Sequence, residues 1–214
     1  MIMAAIGEII KFGKYDWRVL DVQDGRALLL SEKLIGENRD YDGSTWEKSG
    51  SLRKFYLNRI FLESFTDEEK GRITETKVIN PGNLWFNTPG GNDTLDKVFL
   101  LSLEEVDRYF GNSGDYLGKR RKAFDREKGK YFVNKQKPGN YVSNAHDKDR
   151  VACNEAGEPA PWWLRSPGDH YEHSGDNMYI VYPAYVKEDG AIDASNYFND
   201  GKKYGIRPAL WLNL

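Results

Sequence analysis

Two histidines three residues apart, His170 and His173 in "GDHYEHSGDN", have the residue types that could do chemistry together. Neutral imidazole is a common metal ligand. Asp169, Glu172, Asp176 and Asn177 surround them with the oxygen atoms that calcium takes. The order of these acids does not follow the D-x-[DN]-x-[DN]-G pattern of a calcium loop. Pro167 and Gly168 read as a turn entering the segment and Gly175 as a break inside it. The expectation is a solvated polar loop over 168–178 that requires no metal or other cofactor, with His170 and His173 as ligand-facing residues. The alternative is an enzyme of unknown reaction, metal-dependent, with its site in the same loop. The single cysteine, Cys153, excludes an intrachain disulfide and a thiolate cluster.

Other chemical signatures are missing. The chain has no P-loop, no G-x-S-x-G elbow and no dinucleotide glycine fingerprint. The paired acids Glu68–Glu69 and Glu104–Glu105 fall in the first turns of expected helices, where the helix dipole accounts for them. Lys and Arg total 31 against 33 Asp and Glu, so no global field draws the chain to nucleic acid. A basic stretch runs from Gly118 to Arg150, with eleven Lys/Arg to four Asp/Glu. Interleaved acids make it read as a solvated helix and polar loop, and nucleic acid is not an expected partner. The first residues lack a basic n-region and an uninterrupted apolar stretch, and no later segment reads as transmembrane. The expected location is cytoplasmic, away from membranes.

The elements that must position these groups follow from pattern. "IGEIIKF", "DWRVLDV" and "RALLLSE" read as three successive strands, and Asp24-Gly25 supplies the tight turn between the last two. Ala27 to Leu30 is apolar on both faces, as in a central strand. Leu52, Phe55, Tyr56, Ile60 and Phe61 recur at helical spacing, with Ser49 or Ser51 as N-cap. Thr66 caps a second helix ended by Gly71, and "ITETKVI" alternates like a strand. Val98 to Leu101 suits a buried strand, and Ser102 with Glu105 has capping-box spacing. The last third returns to β structure, with Asp189-Gly190 as a second hairpin turn. Strands at both ends with helices between predict one α+β domain over 1–214, its termini side by side in one sheet.

Five blocks in one order, "DWRVLDV…GRALLLSE", "SGSLRKFYLN…SFTDEEKGRI", "DKVFLLSLEEV", "RRKAF" and "WWLRSPG…AYVKEDGAI…YGIRPALWL", resemble a bacterial family of uncharacterised domains. The last block is also similar, more distantly, to the C-type-lectin-like superfamily that includes formylglycine-generating enzymes, sulfoxide synthases and the variable proteins of diversity-generating retroelements. The pieces that match are Trp162 to Ser166, Tyr185 to Ile192 and Ile206 to Leu212. The resemblance implies a C-type-lectin-like, mixed but mainly antiparallel sheet with flanking helices and long loops. It does not imply one function, since that fold hosts enzymes and binders. The formylglycine-generating relatives need a cysteine pair that this chain lacks. The sulfoxide synthases need an H-x-x-x-H-x-E pattern that His146, His170 and His173 do not supply.

The retroelement relatives recognise ligands through residues before the last strand. Carried over, these are Asn196, Tyr197, Asn199, Lys202, Lys203 and Tyr204, whose mix of rigid aromatic and adaptable polar groups resembles a paratope. The reading is therefore a non-catalytic recognition or scaffold module for an unidentified protein or glycan. Trp163, Arg165, Arg207 and Trp211 belong to the framework in this reading. A charge on a buried strand needs partners, so Arg165 and Arg207 are expected to bond carboxylates or backbone carbonyls, not ligand.

Overall fold

Asp24 and Gly25 both adopt positive φ, 51° and 70°, which is the backbone that a two-residue hairpin turn requires. In the computed structural model, which describes residues 4–83, 88–111, 141–142, 144–172, 179–194 and 203–214, this turn joins β2 (Tyr15–Gln23) to β3 (Arg26–Ser31). A preceding strand, β1 (Ile9–Phe12), pairs antiparallel with β2. Every residue from Ala27 to Leu30 is buried, because β3 lies between β2 and the closing strand β12 (Ala209–Asn213). The first and last strands thus share one sheet, as expected, but β2 and β3 lie between them, so they are not side by side. Two short strands, β4 (Ile73–Thr74) and β7 (Val98–Phe99), also pair with β12.

A second sheet has the order β8-β11-β10-β9, formed by β8 (Tyr141–Val142), β9 (Trp162–Glu172), β10 (Tyr179–Val186) and β11 (Ile192–Asp193). A ribbon of β5 (Thr76–Val78) and β6 (Thr94–Asp96) stands apart. All the pairings among these strands are antiparallel. Between Trp162 and Gly205 there is an isolated parallel bridge. The architecture is α+β, mostly antiparallel sheet with a few short helices. No helix among the described residues is long and apolar enough to cross a membrane.

The long helix, Gly50–Phe61, is wound as a π-helix, a form that periodicity alone does not announce. Its start is fixed by Asp42. One carboxylate oxygen accepts from the Gly50 and Ser51 N–H groups at 2.7 and 2.6 Å, and the other accepts from Leu52 N–H and the Ser49 hydroxyl at 2.9 Å each. Ser49 is the N-cap, its hydroxyl accepting from Arg53 N–H. Within the helix, Asn58 donates to the Arg53 and Val98 carbonyls and accepts from the Lys97 and Val98 N–H groups, tying the helix to β7. The expected capping box Ser102–Glu105 is present on α2 (Leu103–Tyr109), and the expected N-cap Thr66 forms a second one with Glu69 on α1 (Asp67–Arg72). A third short helix, α3, covers Asp147–Arg150.

Several boundaries differ from the pattern. Gly71 lies inside α1 instead of ending it. The run from Ile73 divides at Glu75 because β4 joins the main sheet while β5 leaves for the ribbon. Pro167-Gly168 is not a turn: β9 continues through it to Glu172. The Pro167 and Gly168 carbonyls are taken up by the side chains of Asn83 and Thr88, at 2.8 Å each, so tertiary partners replace the turn. In the second hairpin Gly190 has positive φ and Asp189 does not, which makes it a different turn from Asp24-Gly25. The closing strand begins at Ala209, so Arg207 precedes it.

Candidate functional site

The expected ligand residues divide between described and undescribed parts of the chain. Asn196, Tyr197, Asn199, Lys202 and His173 lie outside the described residues. His170 lies in β9, where its backbone registers with Val181. Tyr204 is described and is buried, 8% exposed. Its ring centroid lies 4.4 Å from that of Trp163 and 4.5 Å from that of Tyr185, and Tyr41 meets Trp163 edge-on. Tyr185 donates its hydroxyl to buried Asp193 at 2.8 Å, and burial followed by this carboxylate pushes the phenol far up. Tyr204 and Trp163 therefore pack in a buried aromatic cluster against the second sheet, with Tyr185 of β10 and Tyr41.

Arg165 and Arg207, two buried arginines near the ends of "WWLRSPG" and "YGIRP", have different surroundings. Arg165, 3% exposed, grips both oxygens of Glu105 and donates to the Leu100 and Ile79 carbonyls. Its partners are thus a carboxylate and backbone carbonyls, the kinds expected for it. Arg207, 2% exposed, donates its Nε to the Ser31 carbonyl at 2.9 Å. Its Nη1 is buried and has no hydrogen-bond partner among the described residues. The guanidinium carbon lies 5.2 Å from the Trp162 ring and 5.6 Å from the Phe110 ring. The expectation for Arg207 is thus met at Nε and fails at Nη1.

Arg207 is held there by crossed bonds at the end of β3. Ser31 accepts from Arg207 and donates its own N–H to the Pro208 carbonyl at 2.9 Å. The Ser31 hydroxyl is also buried without a partner among the described residues. Burial is the main influence on the Arg207 pKa and pushes it down to about 10, with Glu32 opposing and Arg18 adding to the fall. The group is still cationic at neutral pH, so the molecule keeps a buried positive charge with a donor unused among the described residues.

That charge lines a cavity of about 450 Å³. Its polar wall is made by Arg18, Glu32, Tyr109, Lys148 and Asp149, which come from β2, the end of β3, α2 and α3. Apolar sides come from Ile6, Val19, Leu20, Phe110 and Val151. Arg18 and Glu32 form a fork, 2.6 and 3.0 Å, and so complete each other. Asp149 faces His146 at 3.3 Å. Tyr109 reaches Asp21 at 3.4 Å, and burial pushes its phenol up, with Asp21 and Glu105 contributing.

Arg150 fixes the walls. Fully buried, it donates to the Phe110 and Gly190 carbonyls at 2.9 and 2.8 Å and pairs with Asp147, locking α3 against the end of α2. Its own carbonyl accepts from Trp162 Nε1 at 3.2 Å, which sets the ring beside Arg207.

Sequence reasoning placed Arg207 in the framework and did not find this cavity. The signal available was an Arg in an apolar closing segment, but its missing partner depends on contacts between distant parts of the chain. A family described as a Domain of unknown function (DUF6273) matches residues 24–214. No curated protein and no solved structure matches the chain.

Proposed function

The chain belongs to the DUF6273 family, whose description transfers no activity, and we propose that it is a non-catalytic recognition module binding a small polar ligand in the cavity beside Arg207. One observation carries this reading: a cationic side chain only 2% exposed, Arg207, lines the cavity. A hydrogen bond from such a charged group to a ligand acceptor is worth about 1.5–3 kcal/mol. The cavity size is also in the range of small-molecule sites, and its lining divides between polar or charged and apolar residues.

The reading keeps the protein or glycan ligand expected from sequence, with one terminal group of that ligand seated in the cavity. A C-type-lectin-like fold is part of the proposal. It is supported by the Trp162 segment and the hairpin after it in one sheet, and by the bridge from Trp162 to Gly205 just before the closing strand. Backbone amide NMR during a screen of small polar compounds tests the function. Saturable shifts at Val19, Phe110 and Val151 are expected, while turnover of a bound compound would contradict a non-catalytic module.

A further inference from the structure

The cavity wall carries three cationic side chains, Arg18, Lys148 and Arg207, against two anionic ones, Glu32 and Asp149. Glu32 is already committed to Arg18 through two bonds, and Asp149 faces His146. The cations left over are Lys148 and Arg207, and the Arg207 guanidinium has its Nε tied to the Ser31 carbonyl, which sets its orientation. A guanidinium N–H donates only, so a ligand partner for it is an acceptor. The low-dielectric setting between the Trp162 and Phe110 rings strengthens a charge-assisted bond and favours an anionic acceptor over a neutral one. One net positive charge in the wall matches a single negative charge.

We propose that the Arg207 cavity binds a small monocarboxylate, its carboxylate accepting from the Arg207 guanidinium with Lys148 as the second cation of the wall, and its remaining body lying along the apolar side formed by Val19, Phe110 and Val151. This deepens the recognition reading and rests on it. The wall's apolar groups come from β2, the end of α2 and the residue after α3, so a flat or compact body of one ring fits the 450 Å³ available. A free aromatic acid and an acidic monosaccharide share this chemistry, and they differ in what they present to the apolar side.

The test titrates the whole chain with benzoate and with glucuronate, alongside the neutral counterparts benzamide and glucose, and follows backbone amides and arginine side-chain N–H signals by NMR. Benzoate or glucuronate is expected to move the Arg207 side-chain signal and the Phe110 and Val151 amides saturably. Its affinity should exceed that of its neutral counterpart at least ~10-fold, as a charge-assisted bond implies. Preference for benzoate assigns an aromatic acid, and preference for glucuronate assigns an acidic sugar. R207M should weaken the acid at least ~10-fold while leaving the neutral compound unchanged. If R207M does not fold, R207K and the wild-type Arg207 side-chain signal report the same contact. Equal binding of acid and neutral partner in the cavity overturns the carboxylate and leaves the recognition reading standing. Failure of all four probes to move Arg207 or its neighbours overturns the carboxylate assignment, and a silent cavity throughout the wider compound screen overturns the recognition reading as well.

Discussion

Glu105 caps α2 and holds Arg165 with the same carboxylate. One oxygen accepts from Ser102 N–H at 2.8 Å and from Arg165 Nη1, and the other accepts from Arg165 Nη2 at 2.8 Å. Arg165 in turn reaches the Leu100 and Ile79 carbonyls, so one ion pair joins α2, β9 and the chain leaving β5. Breaking a buried pair from one side leaves the other charge uncompensated. Glu105→Gln should therefore lower unfolding free energy by about 3 kcal/mol in urea denaturation, the lower end for such pairs because the carboxylate is partly exposed.

The Asp42 carboxylate caps the long helix with four donors. Burial is the largest single influence and raises its pKa, but the Ser51, Leu52, Ser49 and Gly50 donors together outweigh it and hold the group below the usual carboxylate value. A depressed folded pKa contributes stability above the unfolded value near 4 and loses it as pH falls through the folded value. Asp42→Asn should cost about 1–2 kcal/mol at pH 7 and flatten the acid limb of a stability–pH curve. An unchanged acid limb would remove Asp42 as its source.

Tyr204 packs between Trp163 and Tyr185, with centroid distances of 4.4 and 4.5 Å. Tyr204→Ala should act as a core truncation and cost about 3–5 kcal/mol, measurable by thermal or urea unfolding. An exposed recognition residue would lose less than about 0.5 kcal/mol on the same change.

Gly190 has φ +85°, and a Cβ there would land on the Asp147 carbonyl. The same glycine's carbonyl accepts from Arg150. Gly190→Ala must displace α3 as well as strain the turn, so a loss above about 1 kcal/mol is expected. Amide exchange of the 147–151 segment should accelerate with it.

Local rules made much of the framework legible. Asp24-Gly25 has the backbone its residue types require, the Ser102–Glu105 capping box and the Thr66 N-cap form where the sequence puts them, and the apolar run Ala27–Leu30 is a central strand. These features depend on neighbours a few residues away. Others depend on distant partners. The π winding of Gly50–Phe61 accompanies the cap from Asp42 and the Asn58 bonds to β7. The passage of β9 through Pro167-Gly168 depends on Asn83 and Thr88, some eighty residues earlier in the chain. The difference between Arg165 and Arg207 was likewise hidden, because both lie in apolar segments and only the fold supplies Glu105 to one and, among the described residues, no partner to Nη1 of the other.

That difference is also the most direct test of the site. R165M and R207M, unfolded in urea side by side without ligand, remove one satisfied and one incompletely satisfied buried guanidinium. Removing Arg165 strands Glu105 and two carbonyls and should cost about 3 kcal/mol or more. Removing Arg207 relieves a desolvated charge and should leave the free protein at least as stable as wild type, as expected where a binding group is kept at the expense of stability. A loss in R207M as large as in R165M would show Arg207 to be framework, and would contradict the cavity as a binding site.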